Sequence, residues 1–481
     1  MSKSEIKIPA KGMDRETLLA SMKSSREHDT EWKSGRAFCL VYHPGDEKAA
    51  LIKEAYNMFF SENALNPSAF PSLRKMEAEV VTMAASLFNA NEEVEGTMSS
   101  GGTESILLAV KTAREWARVN HPHIEKPEII VPVTVHPAFM KAFHYFGIKG
   151  VVVPVEEDYR ANIDAVRKCI NGNTIMLVGS APSYPHGVVD PIRDLSDIAI
   201  EKGLLLHVDA CIGGFMLPFA RKLGYAIPDF DFTLPGVTSI SADLHKYGYA
   251  AKGASLVLYR NAEIRKHQFY VYTDWPGGIY GSTTMLGTRP GGAIAAAWAA
   301  LNSIGMDGYM ELAGKSMRAT EVLKKGIAAV EGLQIIGDPD MSLIAFGSNE
   351  FDIHVLGDEL NIMGWHFDRQ QFPDCLHLTV SQVHEGVAEE FLADLKTAVE
   401  KVTGFAWSKL ATKAQIGAFK GVKAVMPSGL FKRLQEAYSG SSKMGHGGRS
   451  AAMYGMMGAL SGSGDLPDLV KNVLHGFYSL E

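Results

Sequence analysis

Three short stretches of this 481-residue chain carry side chains whose type and spacing suit chemistry. The first is Ser99-Ser100-Gly101-Gly102-Thr103-Glu104-Ser105, which leads straight into Glu104–Arg118, where Ile106, Val110, Ala113 and Ala117 recur at helical spacing. Glycines and a hydroxyl at a helix start leave backbone N–H groups aimed at one point, with the helix dipole behind them, and such a cradle suits a phosphate. An ordinary helix start capped by Thr103 has the same composition, and the stretch is neither a Walker A sequence nor GxGxxG. The second stretch, Leu206-His207-Val208-Asp209, ends a strand-like run, where open α/β sheets place their ligands. Asp209 there either meets a protonated heterocyclic nitrogen or caps the next turn. The third, SADLHKYGY from Ser241 to Tyr249, is followed by Ala251-Lys252-Gly253. Lys246, 37 residues past Asp209, is a Schiff-base candidate if desolvation frees its amine; alone, a lysine after a strand is ordinarily a solvated loop residue.

Taken together, a phosphate cradle, a carboxylate for a ring nitrogen and a lysine for an aldehyde are the three handles that pyridoxal 5'-phosphate requires. His136, in VTVHPAFMKA, suits either stacking on the pyridine face or capping the helix that begins at Pro137.

These residues need a scaffold, and the flanking sequence supplies one. Apolar, β-branched runs at Glu128–Val135, Gly150–Val155, Thr174–Ser180, Leu204–Asp209, Ser239–Asp243 and Ala254–Tyr259 alternate with helical patterns at Ala138–Phe146, Ile163–Ile170 and Ile192–Glu201. That alternation predicts an α/β fold, a mainly parallel sheet covered by helices on both faces. Residues 1–60 read as a mostly helical lead-in and 61–305 as the large cofactor domain. Residues 306–481 read as a small C-terminal α+β domain with strands in LQIIG, SLIAFGS and CLHLTVSQ. The glycine-rich Ser439–Arg449 reads as a loop, GHGG within it included, and Met453, Met456 and Met457 as core packing.

Composition sets outer bounds. With 46% apolar and 21% charged residues and a net charge of −7, the chain is neither disordered nor fibrous, and no basic excess marks a nucleic-acid partner. Four cysteines without CxxC spacing fit a reducing, cytoplasmic setting and no catalytic use of a thiol. The most apolar run, Ala293–Leu301, is far shorter than the ~20 residues that a bilayer requires. No histidine spacing suggests zinc, so no metal is expected.

SSGGTES, VHPAF, HVDACIGGF and SADLHKYGYAAKG together resemble the group II decarboxylase superfamily of fold-type I pyridoxal-phosphate enzymes. With ALNPSAFPSLRKMEAEVV, SYPHGVVDPI, TDWPGGIYGSTTMLGTRPGG and a MYGM segment near the C-terminus, the chain most resembles the sphingosine-1-phosphate lyases from about Ile8 to Met457. The resemblance implies cleavage of the Cα–Cβ bond of a phosphorylated sphingoid base, giving a fatty aldehyde and phosphoethanolamine. It implies Lys246 as the Schiff-base lysine, Asp209 at the pyridine nitrogen, His136 on the ring, and Gly102, Thr103 and His245 at the cofactor phosphate. It further implies a homodimer with the site at the interface, where Ser282 and Thr283 of one subunit complete the phosphate site of the other. Tyr42, Asn66 and Lys252 match positions that handle substrate, Lys252 at the substrate phosphate. Asn66 stands where the family usually has His, Leu244 where it has Thr and Ala251 where it has Pro, and the segment around Tyr42 is longer than the family's. An amino-acid decarboxylase on the same scaffold is the alternative, and a silent cofactor-binding scaffold a more remote one.

Overall fold

The computed structural model describes residues 6–27, 29–404 and 466–477. Thirteen helices are labelled in chain order: α1 Arg15–Ser24, α2 Asp46–Met58, α3 Pro71–Leu87, α4 Gly102–Asn120, α5 Ala138–Phe146, α6 Ile163–Cys169, α7 Ile192–Lys202, α8 Leu217–Lys222, α9 Ala262–Arg265, α10 Gly291–Ala328, α11 Ile353–Ile362, α12 Ala388–Gly404 and α13 Leu466–Phe477. The strands are β1 Glu95–Ser99, β2 Glu128–Pro132, β3 Lys149–Val153, β4 Thr174–Ser180, β5 Leu205–Asp209, β6 Ser239–Ala242, β7 Ser255–Tyr259, β8 Tyr270–Trp275, β9 Gly278–Ser282, β10 Gln334–Ile336, β11 Leu343–Gly347, β12 Asp368–Gln370 and β13 Cys375–Thr379.

Every residue of β2, β4, β5, β6 and β7 is buried. Uninterrupted apolar strands of this kind belong at the centre of a sheet covered on both faces. They form a seven-stranded sheet in the order β1-β7-β6-β5-β4-β2-β3, parallel throughout except for β7, which pairs antiparallel with β1 and β6. The mainly parallel sheet read from the sequence is therefore present. One face packs against Ile106, Val110 and Ala113 of α4 with Phe139 and Phe143 of α5. The other packs against α3, α7, α8 and the first half of α10. Gly203, at φ 64°, supplies the left-handed residue that ends α7 and lets β5 begin two residues later.

The small C-terminal domain has a four-stranded antiparallel sheet, β10-β11-β13-β12, over a core of Leu356, Leu360, Trp365, Phe391 and Leu395. The apolar run Ala293–Leu301 lies in α10, a long rod broken at Gly305 (φ 64°, ψ 176°). The lead-in is less helical than the sequence reading has it: between α1 and α2 the chain is largely irregular. There Phe38 N–H donates to the His366 carbonyl at 2.8 Å, Thr379 N–H donates to the Phe38 carbonyl at 2.8 Å, and Arg36 pairs with Glu390. This strap ties the early chain to the small domain, while α2 lies against α10. Ser439–Arg449, the GHGG run, Met453, Met456 and Met457 lie outside the described residues.

Candidate active site

The three sequence stretches meet beyond the carboxyl ends of β5 and β6, next to the start of α4, where a doubly wound sheet opens its crevice. No side chain caps α4. Its N-cap is Gly101, not Thr103, which lies one residue inside the helix, so the first-turn N–H groups remain for a ligand. Glu104 turns back to accept from Ser100 N–H at 2.6 Å. Beneath the turn the hydroxyls of Ser99, Ser105 and Ser255 link at 2.7 and 2.9 Å and bolt the helix start to β7.

Glycine at 102 is a spatial requirement. A Cβ there would lie 2.8 and 2.9 Å from the Asp243 carboxylate oxygens and 2.9 Å from Cys211 Sγ. At Gly101 a Cβ would meet only His245 Cε1, at 3.4 Å. The cradle thus lies against Cys211, Asp243 and His245.

Lys246 Nζ lies 2.9 Å from Asp243 Oδ2, and the Asp243 side chain is 1% exposed. Burial alone would push the lysine pKa down; the carboxylate reverses this and holds the ammonium above its ordinary value. On the partner side, burial pulls the Asp243 carboxyl up, but Lys246 and then His245 outweigh it and hold it below the usual carboxylate range. His245 is driven down, by burial first and by the two lysines, against the pull of Asp243. Its Nδ1 accepts from Ala254 N–H at 3.3 Å, so Nε2 carries the proton. Asp209 Oδ1 accepts from Cys211 N–H at 3.0 Å and from Ser241 Oγ at 3.4 Å.

Lys252 stands at the mouth of this group. Its Nζ donates to the Leu40 carbonyl at 3.0 Å and the His245 carbonyl at 3.1 Å, and lies 5.2 Å from the Tyr42 ring centroid. Desolvation by this wedge, and next the Lys246 charge, lower its pKa. Tyr42 packs edge-on to Tyr247 with centroids 4.9 Å apart. Burial, then Tyr184 and Asp243, hold its phenol well above the ordinary value.

The remaining expected residues are His136, Asn66, Ser282 and Thr283. His136, one residue before Pro137, the N-cap of α5, is exposed, and its Nδ1 accepts from Ala138 N–H at 3.2 Å. Asn66 is also exposed, and its Oδ1 is spent on Ser68 and Ala69 N–H in its own turn. Ser282 donates to the Thr284 carbonyl at 2.8 Å, and exposed Thr283 accepts from Gln268 through its carbonyl. Both sit on the rim of a cavity of about 610 Å³ also lined by Arg74, Arg265 and Arg289.

Several site residues escaped the sequence reading. Asp243 precedes Lys246 by three residues, a spacing that on a tight turn brings acid to amine. Cys211, left without a role by its sparse spacing, contributes its sulfur to the cradle. Glu104 also accepts from Met285 N–H at 2.8 Å, tying the cradle to the segment after β9. The Tyr184 hydroxyl donates to Asp368 across the two domains, and burial raises that carboxyl.

The donor set fits pyridoxal phosphate: a cradle that a methyl group at residue 102 would fill, and, among the described residues, first-turn N–H groups, a protonated Nε2 on His245, a half-buried lysine, and an Asp209 Oδ2 without a hydrogen bond. The pyridoxal-dependent decarboxylase conserved domain matches residues 23–349. The sphingosine-1-phosphate lyase of Oryza sativa subsp. japonica is 48% identical over 403 residues, 82% of this chain and 74% of that protein. A probable L-aspartate decarboxylase of Pyrococcus furiosus is 34% identical over 363 residues, 75% of this chain and 94% of that protein. The solved sphingosine-1-phosphate lyase of Burkholderia pseudomallei superposes with a TM-score of 0.80 at 42% identity, covering 88% of this chain and 98% of that one. Sequence match, fold and cofactor handles agree, and the chain belongs to the pyridoxal-dependent decarboxylase family, on its sphingosine-1-phosphate lyase branch.

Proposed function

We propose that this protein cleaves the Cα–Cβ bond of a phosphorylated long-chain base, sphingosine 1-phosphate or a close relative, to a fatty aldehyde and phosphoethanolamine. The observation that carries the reading is Lys252, a cation at the mouth of the Lys246 site, seated on two carbonyls and an aromatic ring. A decarboxylase acting on an amino acid has no substrate phosphate for such a group to meet.

Pyridoxal phosphate, when bound, supplies an aldehyde for the substrate amine and a ring that takes up the electrons of the breaking bond. Lys246 Nζ would hold that aldehyde, and Asp243, which favours its ammonium form, would leave it a proton to give to substrate carbon. The first-turn N–H groups of α4 and His245 Nε2–H bind the cofactor phosphate. Asp209 Oδ2 would hold the ring nitrogen, and His136 would stack on the ring. Lys252 has a third N–H beyond its two carbonyl bonds, and this binds the substrate phosphate. Tyr42, in contact with Lys252 and Tyr247, walls the entrance.

We also propose a homodimer, and the hairpin of β8 and β9 supports it. Tyr270, Val271, Tyr272, Trp275 and Ile279 are all exposed on it, and its return strand ends at Ser282, next to Thr283; among the described residues Ser282 Oγ bonds to the Thr284 and Leu286 carbonyls and the Thr283 carbonyl to Gln268. A second copy both covers the apolar surface and receives those two residues at its phosphate site. Among the described residues no helix is long and apolar enough to cross a membrane. The four cysteines are free thiols, which suits a reducing, cytoplasmic setting.

The test is to incubate the holoenzyme with sphingosine 1-phosphate and, separately, with an amino-acid panel. Long-chain aldehyde is expected from the first and no carbon dioxide from the second. In Lys252→Ala the loss of one charge-assisted contact, about 1.5–3 kcal/mol, lowers kcat/KM for the phosphorylated base by roughly 10- to 100-fold with cofactor binding unchanged. Carbon dioxide release from an amino acid, undiminished in Lys252→Ala, would replace this reading with the decarboxylase that the Pyrococcus relative represents.

A further inference from the structure

β5 and β6 run side by side with His207 opposite Ser239 and Asp209 opposite Ser241. Alternate strand residues share a face, so these four polar side chains line up in the middle of the sheet. His207 and Ser241 are completely buried and Asp209 is 7% exposed. The distances order them into a chain: Ser239 Oγ to His207 Nδ1 is 2.8 Å, His207 Nε2 to Ser241 Oγ is 3.2 Å, and Ser241 Oγ to Asp209 Oδ1 is 3.4 Å. The Cys211 thiol also donates to Ser241 Oγ, at 3.3 Å.

Donor counting fixes the direction of the chain. Burial pushes the His207 pKa down to about 4, so the ring is neutral and has a single N–H. An ionised carboxylate only accepts, so the one proton of Ser241 goes to Asp209. Ser241 Oγ must then accept from His207 Nε2–H, and His207 Nδ1 accepts from the Ser239 hydroxyl. One tautomer satisfies every member, and each donor points towards Oδ1 of Asp209. Oδ2 is left without a hydrogen bond among the described residues.

We propose that Ser239, His207 and Ser241 form a positioning relay that holds Asp209 by Oδ1 and so presents Oδ2 to the ring nitrogen of pyridoxal phosphate. None of the three is a catalytic residue, since each acts through Asp209. The inference rests on the placement of Asp209 at the ring nitrogen but not on which substrate bond is broken.

The test measures binding, not turnover. Apo-protein is titrated with pyridoxal phosphate and with its 1-deaza analogue, in which a CH group replaces the ring nitrogen, following quenching of tryptophan fluorescence. The wild type favours pyridoxal phosphate. His207→Leu and Ser241→Ala each lose about tenfold of that preference, the scale of one hydrogen bond to a charged group, while His207→Gln, which keeps a donor for Ser241, retains most of it. Equal weakening towards both compounds, or no change towards either, would overturn the relay as a positioning device. Ser241→Ala removes a single atom and keeps the test available if His207→Leu does not fold. Asp209→Asn separates the two layers of the argument. If it keeps the preference, the placement of Asp209 fails. If it alone loses the preference, the relay fails and the placement stands.

Discussion

Two adjacent glycines should respond oppositely to the same added methyl group. At Gly102 the new Cβ would fall within 3.0 Å of both Asp243 oxygens and of Cys211 Sγ, and none of these can retreat freely. Asp243 is buried and paired with Lys246 at 2.9 Å, and Cys211 is buried. If the helix start moves instead, the site absorbs an overpacking cost of about 1–3 kcal/mol, which is roughly 5- to 150-fold in cofactor affinity. If Asp243 moves, a buried ion pair opens, at about 3–5 kcal/mol. At Gly101 the nearest atom is 3.4 Å away, ordinary contact, and the extended backbone there accepts any side chain. Titration of the apo-proteins with pyridoxal phosphate, together with urea unfolding of each, separates binding from stability. Gly102→Ala should bind at least about fivefold more weakly, and part of the strain in its apo form is offset by up to about 1 kcal/mol of helix propensity. Gly101→Ala should bind as the wild type does. Wild-type affinity in Gly102→Ala, or equal losses in both variants, would refute the cradle geometry.

The second expectation concerns Glu104, which accepts from Met285 N–H and Ser100 N–H. Glu104→Ala removes two bonds to a charged acceptor, about 1.5–3 kcal/mol each, and hydrogen exchange at the Met285 amide should accelerate by at least tenfold; unchanged exchange would remove Glu104 from the role of tie. The third concerns acid. Burial lowers the folded-state pKa of His186, His207 and His384 to about 4 and of His377 to about 3. The unfolded chain, with histidines near their ordinary value, takes up protons that the folded chain refuses. Stability is therefore intact above about pH 6.5 and falls from there towards pH 4, by about 1.4 kcal/mol per pH unit for each such histidine. His377→Gln should reduce the slope of unfolding free energy against pH by one proton's worth; an unaltered slope would show that His377 is not buried neutral.

How much of this is visible in the sequence depends on how local each signal is. The central strands of the large sheet announce themselves because burial on both faces demands unbroken apolar runs, as in Thr174–Ser180. β1 does not, since Glu95-Gly96-Thr97-Met98-Ser99 pairs with one neighbour at the sheet edge and has no apolar run. The β8–β9 hairpin is missed for a related reason: it is largely exposed, and its pairing closes locally through Trp275 and Gly278. Lys246, Asp209 and the Ser99–Ser105 turn are legible because each is a residue type placed at the end of a recognisable element. Ser241, His207 and Cys211 are not, because what they do depends on the register between strands over 30 residues apart. Asn66 draws attention in the sequence as a departure from the family's usual His; its Oδ1 accepts from Ser68 and Ala69 N–H in its own turn.

The strap of residues around Phe38 sets an order of events in the making of the protein. Its partners, His366 and Thr379, are synthesised more than 300 residues later, so the segment must wait unbound while the large sheet assembles behind it. Closing so long a loop comes at an entropic cost that local contacts do not meet, and only the finished small domain can recover it. Leu40, next along the strap, supplies a carbonyl to Lys252. The cation at the mouth of the site therefore reaches its resting position only once the small domain has formed, and a nascent product that has already built the cradle, Asp209 and Lys246 but not that domain lacks it.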